Sequence, residues 1–506
     1  MPDTTLETPH TLAPEGRQPA RASRAGAGQP FARRYVWWLV ALTVVVIAEA
    51  VLRWANTRPG YDPYGWLIWG YQTVHGGLDL GGAPSWKPFT FVFTVPYSLF
   101  GHYALHLWEL TAVSTSLAGA VFGGRIAYRL TALPGERPGR TLPPIVAAIV
   151  AGAAVLGTQQ YFHYVLSSQS DPMLVTVCLA AIDMFLCGRL GWAWWLGVLA
   201  GLGRPEVWAF TFFYGLWILW KRPSMRWMVV AGAVVTAFLW FGVPTITNGK
   251  PNVAGQLALK SPRELHKNKV VGTIDRFLAL EYLPVWIAAL AAVGLAALRR
   301  NRVVLALAGM AVWWVVVEIA FVLHGFPGVP RYLFEPAALS AVLAGVAAGW
   351  LLQGTSRLHP RVPGWAGIPL VVILVAVCLP HARSLWDSEH KDIAHERLRT
   401  QRILQLGSYV TALGGPSRIQ GCGGALLNVE YVSIMGWYLH KNTGQIAYQP
   451  LKVLKRSNPV IYFILLGNGW MVQPLRAQRA AARGCASLKS LYVPTARHPQ
   501  GVLIPK

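Results

Sequence analysis

Charge is scarce in this chain, and negative charge scarcest. Of 506 residues 13% are Asp, Glu, Lys or Arg, and only 21 are acids against 45 bases. A soluble globule carries about 25% charged residues, so a water-solvated fold is excluded and lipid is the solvent that fits. Cysteine is also rare: Cys178, Cys187 and Cys378 lie in or beside apolar runs, and Cys422 and Cys485 fall in the polar C-terminal part. No Cys-x-x-Cys pair and no His-rich spacing occurs, which excludes a zinc module of the usual kind. What is abundant is hydrophobic: 54% of the residues, including 23 Trp. The formal net charge of +24 gathers in the tail, the loops and the C-terminal segment. Anionic headgroups and lipid phosphates are the expected partners, and nucleic acid is not.

Residues 1–34 are rich in Pro, Ala, Thr and Arg without apolar periodicity and read as a disordered cytoplasmic tail. Arg33 and Arg34 precede the first apolar run, which places the N-terminus in the cytoplasm by the positive-inside rule. Later basic loops at 125–140, 221–226, 299–302 and 357–361 then fall on the same side. The apolar segments between them give an α-helical polytopic protein of about eleven transmembrane helices over residues 35–380. Phe89 to Phe100, short and carrying Pro96, reads as an interfacial or partly inserted helix. The stretch 191–220, broken at Arg204-Pro205-Glu206, reads as a helical hairpin or a re-entrant pair. Arg204 and Glu206 are there expected to brace the hairpin as an intramembrane ion pair, away from any outer site. The outer face receives the loops 53–88, 247–281 and 324–332, the neighbourhood of Asp171, and everything after Pro380.

Residues 381–506 turn polar and basic, with short apolar runs such as Val460 to Leu466 and Gly501 to Ile504. They read as a small soluble extracytoplasmic α/β domain. A Cys422–Cys485 disulfide suits an oxidising compartment, two unpaired thiols being the alternative.

The loop after the first helix reads Arg58-Pro-Gly-Tyr61-Asp62-Pro-Tyr-Gly-Trp66, followed by Trp86-Lys87-Pro88 opening a helix that closes on Leu99-Phe100-Gly101. Further on come Ser170-Asp171-Pro172, then Leu199-Ala-Gly-Leu-Gly-Arg204-Pro-Glu206, then Arg331-Tyr332-Leu333-Phe334-Glu335-Pro336. The order of these four motifs over residues 35–380 resembles the GT-C superfamily of membrane glycosyltransferases, in its protein O-mannosyltransferase and aminoarabinose transferase branch. Two departures stand out. Pro63 follows Asp62 where the O-mannosyltransferases carry paired acids, and Trp86-Lys87-Pro88 stands where the aminoarabinose enzymes usually have His-Pro-Pro.

The resemblance implies an inverting sugar transfer from a polyprenyl-phosphate donor to an extracytoplasmic acceptor, whether glycan, glycolipid or protein. Such a reaction needs a base at the acceptor hydroxyl and cations at the leaving phosphate. Asp62 is the candidate base, with Lys87 and Arg331 as phosphate clamps. Asp171 is a candidate to orient the acceptor, hold a divalent ion or tune Asp62. Tyr61 and Trp86 are candidates to stack on a sugar face, an interfacial aromatic belt being the plainer reading. The cytoplasmic loops are too short for a nucleotide-sugar fold, which agrees with a lipid-linked donor. A transporter or flippase is the alternative, and it predicts broken helices repeated in two halves, a pattern the sequence lacks.

Overall fold

The computed structural model describes residues 31–82, 84–133, 141–259, 265, 268–357, 368–449, 461–467, 469–474 and 491–492. The chain divides into two compact units, Met1–Thr43 and Val44–Lys506. Helix α1 (Phe31–Ala55) begins in the first and is apolar enough over Tyr35–Ala55 to cross a membrane.

The second unit, in its described residues, is mostly helical. It continues with α2 (Tyr61–His75), α3 (Pro88–Ser98), α4 (Ala104–Thr131), α5 (Leu142–Gly157), α6 (Tyr161–Leu166) and α7 (Ser170–Leu186). Next come α8 (Leu190–Gly203), α9 (Val207–Lys221), α10 (Arg226–Ala237), α11 (Val243–Asn248), α12 (Val253–Ala258) and α13 (Lys269–Leu278). Then follow α14 (Leu283–Leu298), α15 (Arg302–Leu323), α16 (Phe334–Arg357), α17 (Ile368–Ala412), α18 (Gly415–Gly421) and α19 (Val432–Leu439).

Among the described residues, 5 helical stretches are long and apolar enough to span a bilayer, or up to 6 if α13 and α14, bent by 97°, count as one. Other apolar runs fold as shorter helices. α7, α8 and α9 have 17, 14 and 15 residues, and a straight crossing takes about 20. The 191–220 stretch is a helix pair, α8 and α9, separated at Arg204-Pro205-Glu206. α3, at 11 residues, is too short to cross, as expected for an interfacial helix.

α16 lies at the centre of the bundle, with nearly every residue from Leu333 to Trp350 buried. Its sequence is dominated by Ala and Gly, which lets neighbouring backbones close in. A Cβ on Gly349 would stand 3.1 Å from the Pro143 carbonyl oxygen at the head of α5. α7 is pinned to α4 by the fully buried Asp183, which receives Arg125 and Arg129 at 2.9 Å each. Twelve positions earlier on the same helix stands Asp171, so both ends of α7 are held by ion pairs.

The expected boundary near residue 380 falls inside α17, which runs unbroken past Pro380. The chain then builds its own core around Ile403, Leu406, Tyr431, Met435, Phe463 and Trp470. Beside that core a four-stranded sheet runs in the order β1 (Ala425–Leu426), β2 (Ile461–Leu466), β3 (Gly469–Pro474), β4 (Leu491–Tyr492). β1 pairs with β2 in parallel, and the later pairs are antiparallel. This α/β unit sits on α2: Tyr64 joins its core, and the Ser433 hydroxyl donates to the Tyr61 carbonyl. The 501–504 run lies outside the described residues.

α17 also docks on α6 through His163 and Asp392, 2.6 Å apart and each about one-third exposed. Burial lowers the His163 imidazole, but the hydrogen bond and charge of Asp392 outweigh it, and the net shift is upward. The docking contribution is therefore complete below the histidine's unfolded value of about 6.5 and is lost as pH rises through the raised folded value. Thermal unfolding of the wild type should show this decline between about pH 6 and 8. His163→Gln should flatten it, and parallel curves would exclude the pair as a pH-dependent contact.

Candidate active site

The segment that carries Asp62 packs closely at Gly60. The Gly60 N–H donates to the Ser167 carbonyl at 2.9 Å, and a Cβ at position 60 would stand 2.7 Å from Gln169 Nε2. The loop before α2 can therefore lie flat on the segment that leads into α7. Asp62 occupies the first turn of α2, and Asp171 the first turn of α7, where exposed N–H groups favour a carboxylate.

Lys87 precedes Pro88 and has the extended backbone that a pre-proline position favours. Pro88 opens α3, where the missing N–H costs nothing. From there Lys87 Nζ reaches Asp171 Oδ1 at 3.6 Å and donates to Ser170 Oγ at 3.4 Å. Arg331 projects from the short turn Pro330–Leu333 at the head of α16. Both its terminal nitrogens stand 3.5 Å from Asp62 Oδ2, and Nη1 is 3.8 Å from Asp171 Oδ2. One guanidinium thus ties the two acids together, and the four charged residues read from the sequence converge.

Arg204 joins them, contrary to the expectation that it stays away from the outer site. The break between α8 and α9 turns it inward, where Nη2 donates to Asp171 and also, at 3.2 Å, to the Arg331 carbonyl. Nη1 stands 3.6 Å from Glu206, Nε 3.7 Å from Glu335, and the guanidinium lies 4.1 Å from the centre of the Tyr332 ring. The sequence carried a signal for this: an Arg-Pro-Glu break in an apolar hairpin is costly unless the charges have partners.

The two acids differ in what they can meet. Asp171 is fully buried and ringed by Lys87, Arg204 and Arg331, whereas the Asp62 side chain keeps 23% of its surface. Three cations around Asp171 suit an anion and leave little room for the divalent ion considered above. Burial lowers the Lys87 ammonium below the ordinary lysine range; Asp171 opposes the shift, and Arg204 and Arg331 add to it.

The aromatic candidates have packing partners of their own. Trp86 is buried, donates its indole N–H to the Leu239 carbonyl at 2.9 Å and packs edge-on to Trp69. It still forms part of a cavity wall. Tyr61 is half-buried beside the α/β core, its carbonyl held by Ser433. Cys422 is disulfide-bonded, and Cys485 lies outside the described residues.

Two cavities border this charged knot through different residues. One of about 580 Å³ is lined by Ser85, Lys87, Arg204, Glu206, Glu318 and Tyr332, with Trp86 and Trp208 in its walls. The other, about 340 Å³, is apolar along Cys178, Leu179, Phe185, Phe210 and Trp314, with Glu335 as the charged residue on its lining.

The helical bundle, the short-helix break and the capping α/β unit together form a fold that solved membrane-protein structures share. Its solved counterparts include ArnT from Cupriavidus metallidurans bound to undecaprenyl phosphate (TM-score 0.50) and the same protein in the apo state (TM-score 0.51). Each is 16% identical to this chain, and each alignment covers 85% of this chain and 93% of its counterpart. No family model matches the sequence, and no curated protein does.

Proposed function

We propose that this protein transfers a sugar from a polyprenyl-phosphate donor to an acceptor outside the cytoplasmic membrane, with inversion at the anomeric carbon. The observation that carries the reading is the pairing of a part-exposed carboxylate, Asp62, with Arg331, in a cluster of three cations of which Lys87 and Arg204 line the 580 Å³ cavity. The apolar cavity suits a prenyl chain, and Lys87 and Arg331 suit the phosphate. The solved counterpart bound to undecaprenyl phosphate adds support by its fold.

In this reading the acceptor oxygen attacks the anomeric carbon as Asp62 takes its proton. The bond from that carbon to the phosphate oxygen breaks, and its electron pair leaves with the phosphate. Lys87 and Arg331 hold the growing negative charge, and Asp171 holds the cations. Residues 1–34 form the cytoplasmic tail, 35–380 the catalytic bundle and 381–506 the extracytoplasmic domain over it. The Cys422–Cys485 disulfide staples that domain.

Purified protein in nanodiscs, offered a panel of polyprenyl-phosphate sugars that includes mannose and arabinofuranose with a membrane-lipid extract as acceptor, tests the reading. Transfer from one donor supports it. Silence with every donor, combined with substrate flux in sealed vesicles, replaces it with a transporter.

The lowered Lys87 ammonium makes a separate prediction. Its proton is lost at lower pH than an exposed lysine's, so the donor KM should rise about tenfold as pH climbs toward the ordinary lysine range. Lys87→Arg should hold KM flat to higher pH. Superimposable KM–pH profiles would remove Lys87 from phosphate contact.

A further inference from the structure

Residues 54–60, the end of α1 and the segment that leads into the helix of Asp62, hang on hydrogen bonds from elsewhere in the fold. α17 supplies most of them. Arg397 donates from Nε to the Ala55 carbonyl and from Nη2 to the Trp54 carbonyl, each at 2.8 Å. Arg399 donates from Nη1 to the Pro59 carbonyl at 3.2 Å and from Nη2 to the Arg58 carbonyl at 2.9 Å. The Arg58 N–H in turn donates to the Thr400 hydroxyl at 2.8 Å, and Thr400 is 4% exposed. Glu396 accepts from Arg399 Nε at 2.8 Å and so fixes the direction of the guanidinium. The end of α6 takes the rest: the Thr57 hydroxyl donates to the Leu166 carbonyl at 3.3 Å, and the Gly60 N–H to the Ser167 carbonyl.

α17 also holds α6 itself, through His163 and Asp392, and Ile393 packs with Ala55 and Leu166 where the three elements meet. Backbone groups outside regular structure need partners, and short loops usually find them among their own neighbours. Here two arginines and a threonine from a distant part of the chain provide them, so α17 sets the path into α2 where local turn chemistry does not. Asp62 is the second residue of α2 and stands two positions beyond Gly60, so its place follows from the segment that delivers it. A general base works only within hydrogen-bond reach of its proton, and a displacement of about 1 Å can cost 10²-fold in rate.

We infer that Arg399 and Thr400 of α17 are positioning residues for Asp62, fixing residues 58–60 so that the carboxylate meets the acceptor hydroxyl in line for proton transfer. The inference rests on the reading of Asp62 as the general base, and it gives the polar half of α17 a part in the rate of transfer. Lys87 and Arg331 stand on other elements, so loosening residues 58–60 leaves the phosphate clamps in place and falls on kcat.

The test is steady-state transfer by the full-length protein in nanodiscs, using whichever polyprenyl-phosphate sugar of the panel above supports turnover. Valine at position 400 keeps the shape of threonine and removes the acceptor of the Arg58 N–H, whereas serine keeps the hydroxyl. Thr400→Val and Arg399→Met should each lower kcat about ten- to a hundredfold, with donor KM within about twofold of wild type. Thr400→Ser should bring kcat back to within about threefold of wild type, and Arg399→Lys, which keeps the charge without the fork, should recover only part. Because both residues act through Asp62, their cost should shrink to about twofold or less in an Asp62→Asn background. An unchanged kcat in Thr400→Val and Arg399→Met overturns the inference. So do a donor KM that rises in step with the loss, a loss that Thr400→Ser fails to reverse, and full additivity with Asp62→Asn, each of which marks a merely structural role. Should Arg399→Met no longer unfold cooperatively, the two Thr400 variants decide by the same readouts. Asp62→Asn that transfers at the wild-type rate overturns the base reading beneath, and that single variant tells the two failures apart.

Discussion

Asp62→Asn should lower the rate of sugar transfer by about 10²- to 10⁴-fold, the range that a positioned general base supplies, with donor binding almost unaltered. Asparagine keeps the shape of the side chain and an oxygen for Arg331, so the tie between α2 and the head of α16 survives. What it lacks is the capacity to take a proton from the acceptor hydroxyl. The loss should therefore fall on kcat, with KM for the donor nearly constant, as for an interaction made only in the transition state. Asp171→Asn offers the contrast. Asp171 is buried and touches Lys87, Arg204 and Arg331, so weakening it disperses the phosphate-binding cations and raises donor KM as well. Transfer by Asp62→Asn at close to the wild-type rate, in protein that still unfolds cooperatively, would remove Asp62 as the base.

The four charged residues that converge were legible because each combines a rare charge with a local constraint. Asp62 and Asp171 are among few acids and stand beside Pro63 and Pro172 at helix starts; Lys87 is held by Pro88, and Arg331 follows Pro330. Arg204 was misplaced because hydropathy assigns depth along the membrane normal but says nothing of which helix face a break presents. Glu318 gave no signal beyond being an acid inside the apolar run that became α15, and its place beside Glu206 follows only from the fold. Apolar composition marks α7, α8 and α9 as lipid-compatible but does not fix where a helix ends, and these have 17, 14 and 15 residues. Trp86 combines both readings: its N–H is committed to the Leu239 carbonyl while its ring stays in the wall of the 580 Å³ cavity.

Arg204→Met should be the most destabilising single change at the site. The guanidinium is 3% exposed and holds Asp171, Glu206 and Glu335 together with the Arg331 carbonyl, so its removal strands acids that cannot reach water. Breaking a buried ion pair from one side typically costs about 3–5 kcal/mol, far more than the pair contributes over a well-packed apolar replacement. The unfolding midpoint in nanodiscs should fall by several degrees or more, and donor binding should fail with it. Arg204→Lys separates charge from geometry. Lysine restores one positive charge but not the planar fork that reaches three carboxyls and a carbonyl at once, so it should recover part of the stability and little of the transfer. The double variant Arg204→Met, Glu335→Gln removes one stranded acid and should regain stability relative to Arg204→Met alone, by an interaction free energy of about 0.5–3 kcal/mol. Strict additivity of the two changes would mean that Arg204 and Glu335 are not coupled and that the charged knot is held together by Asp171 alone.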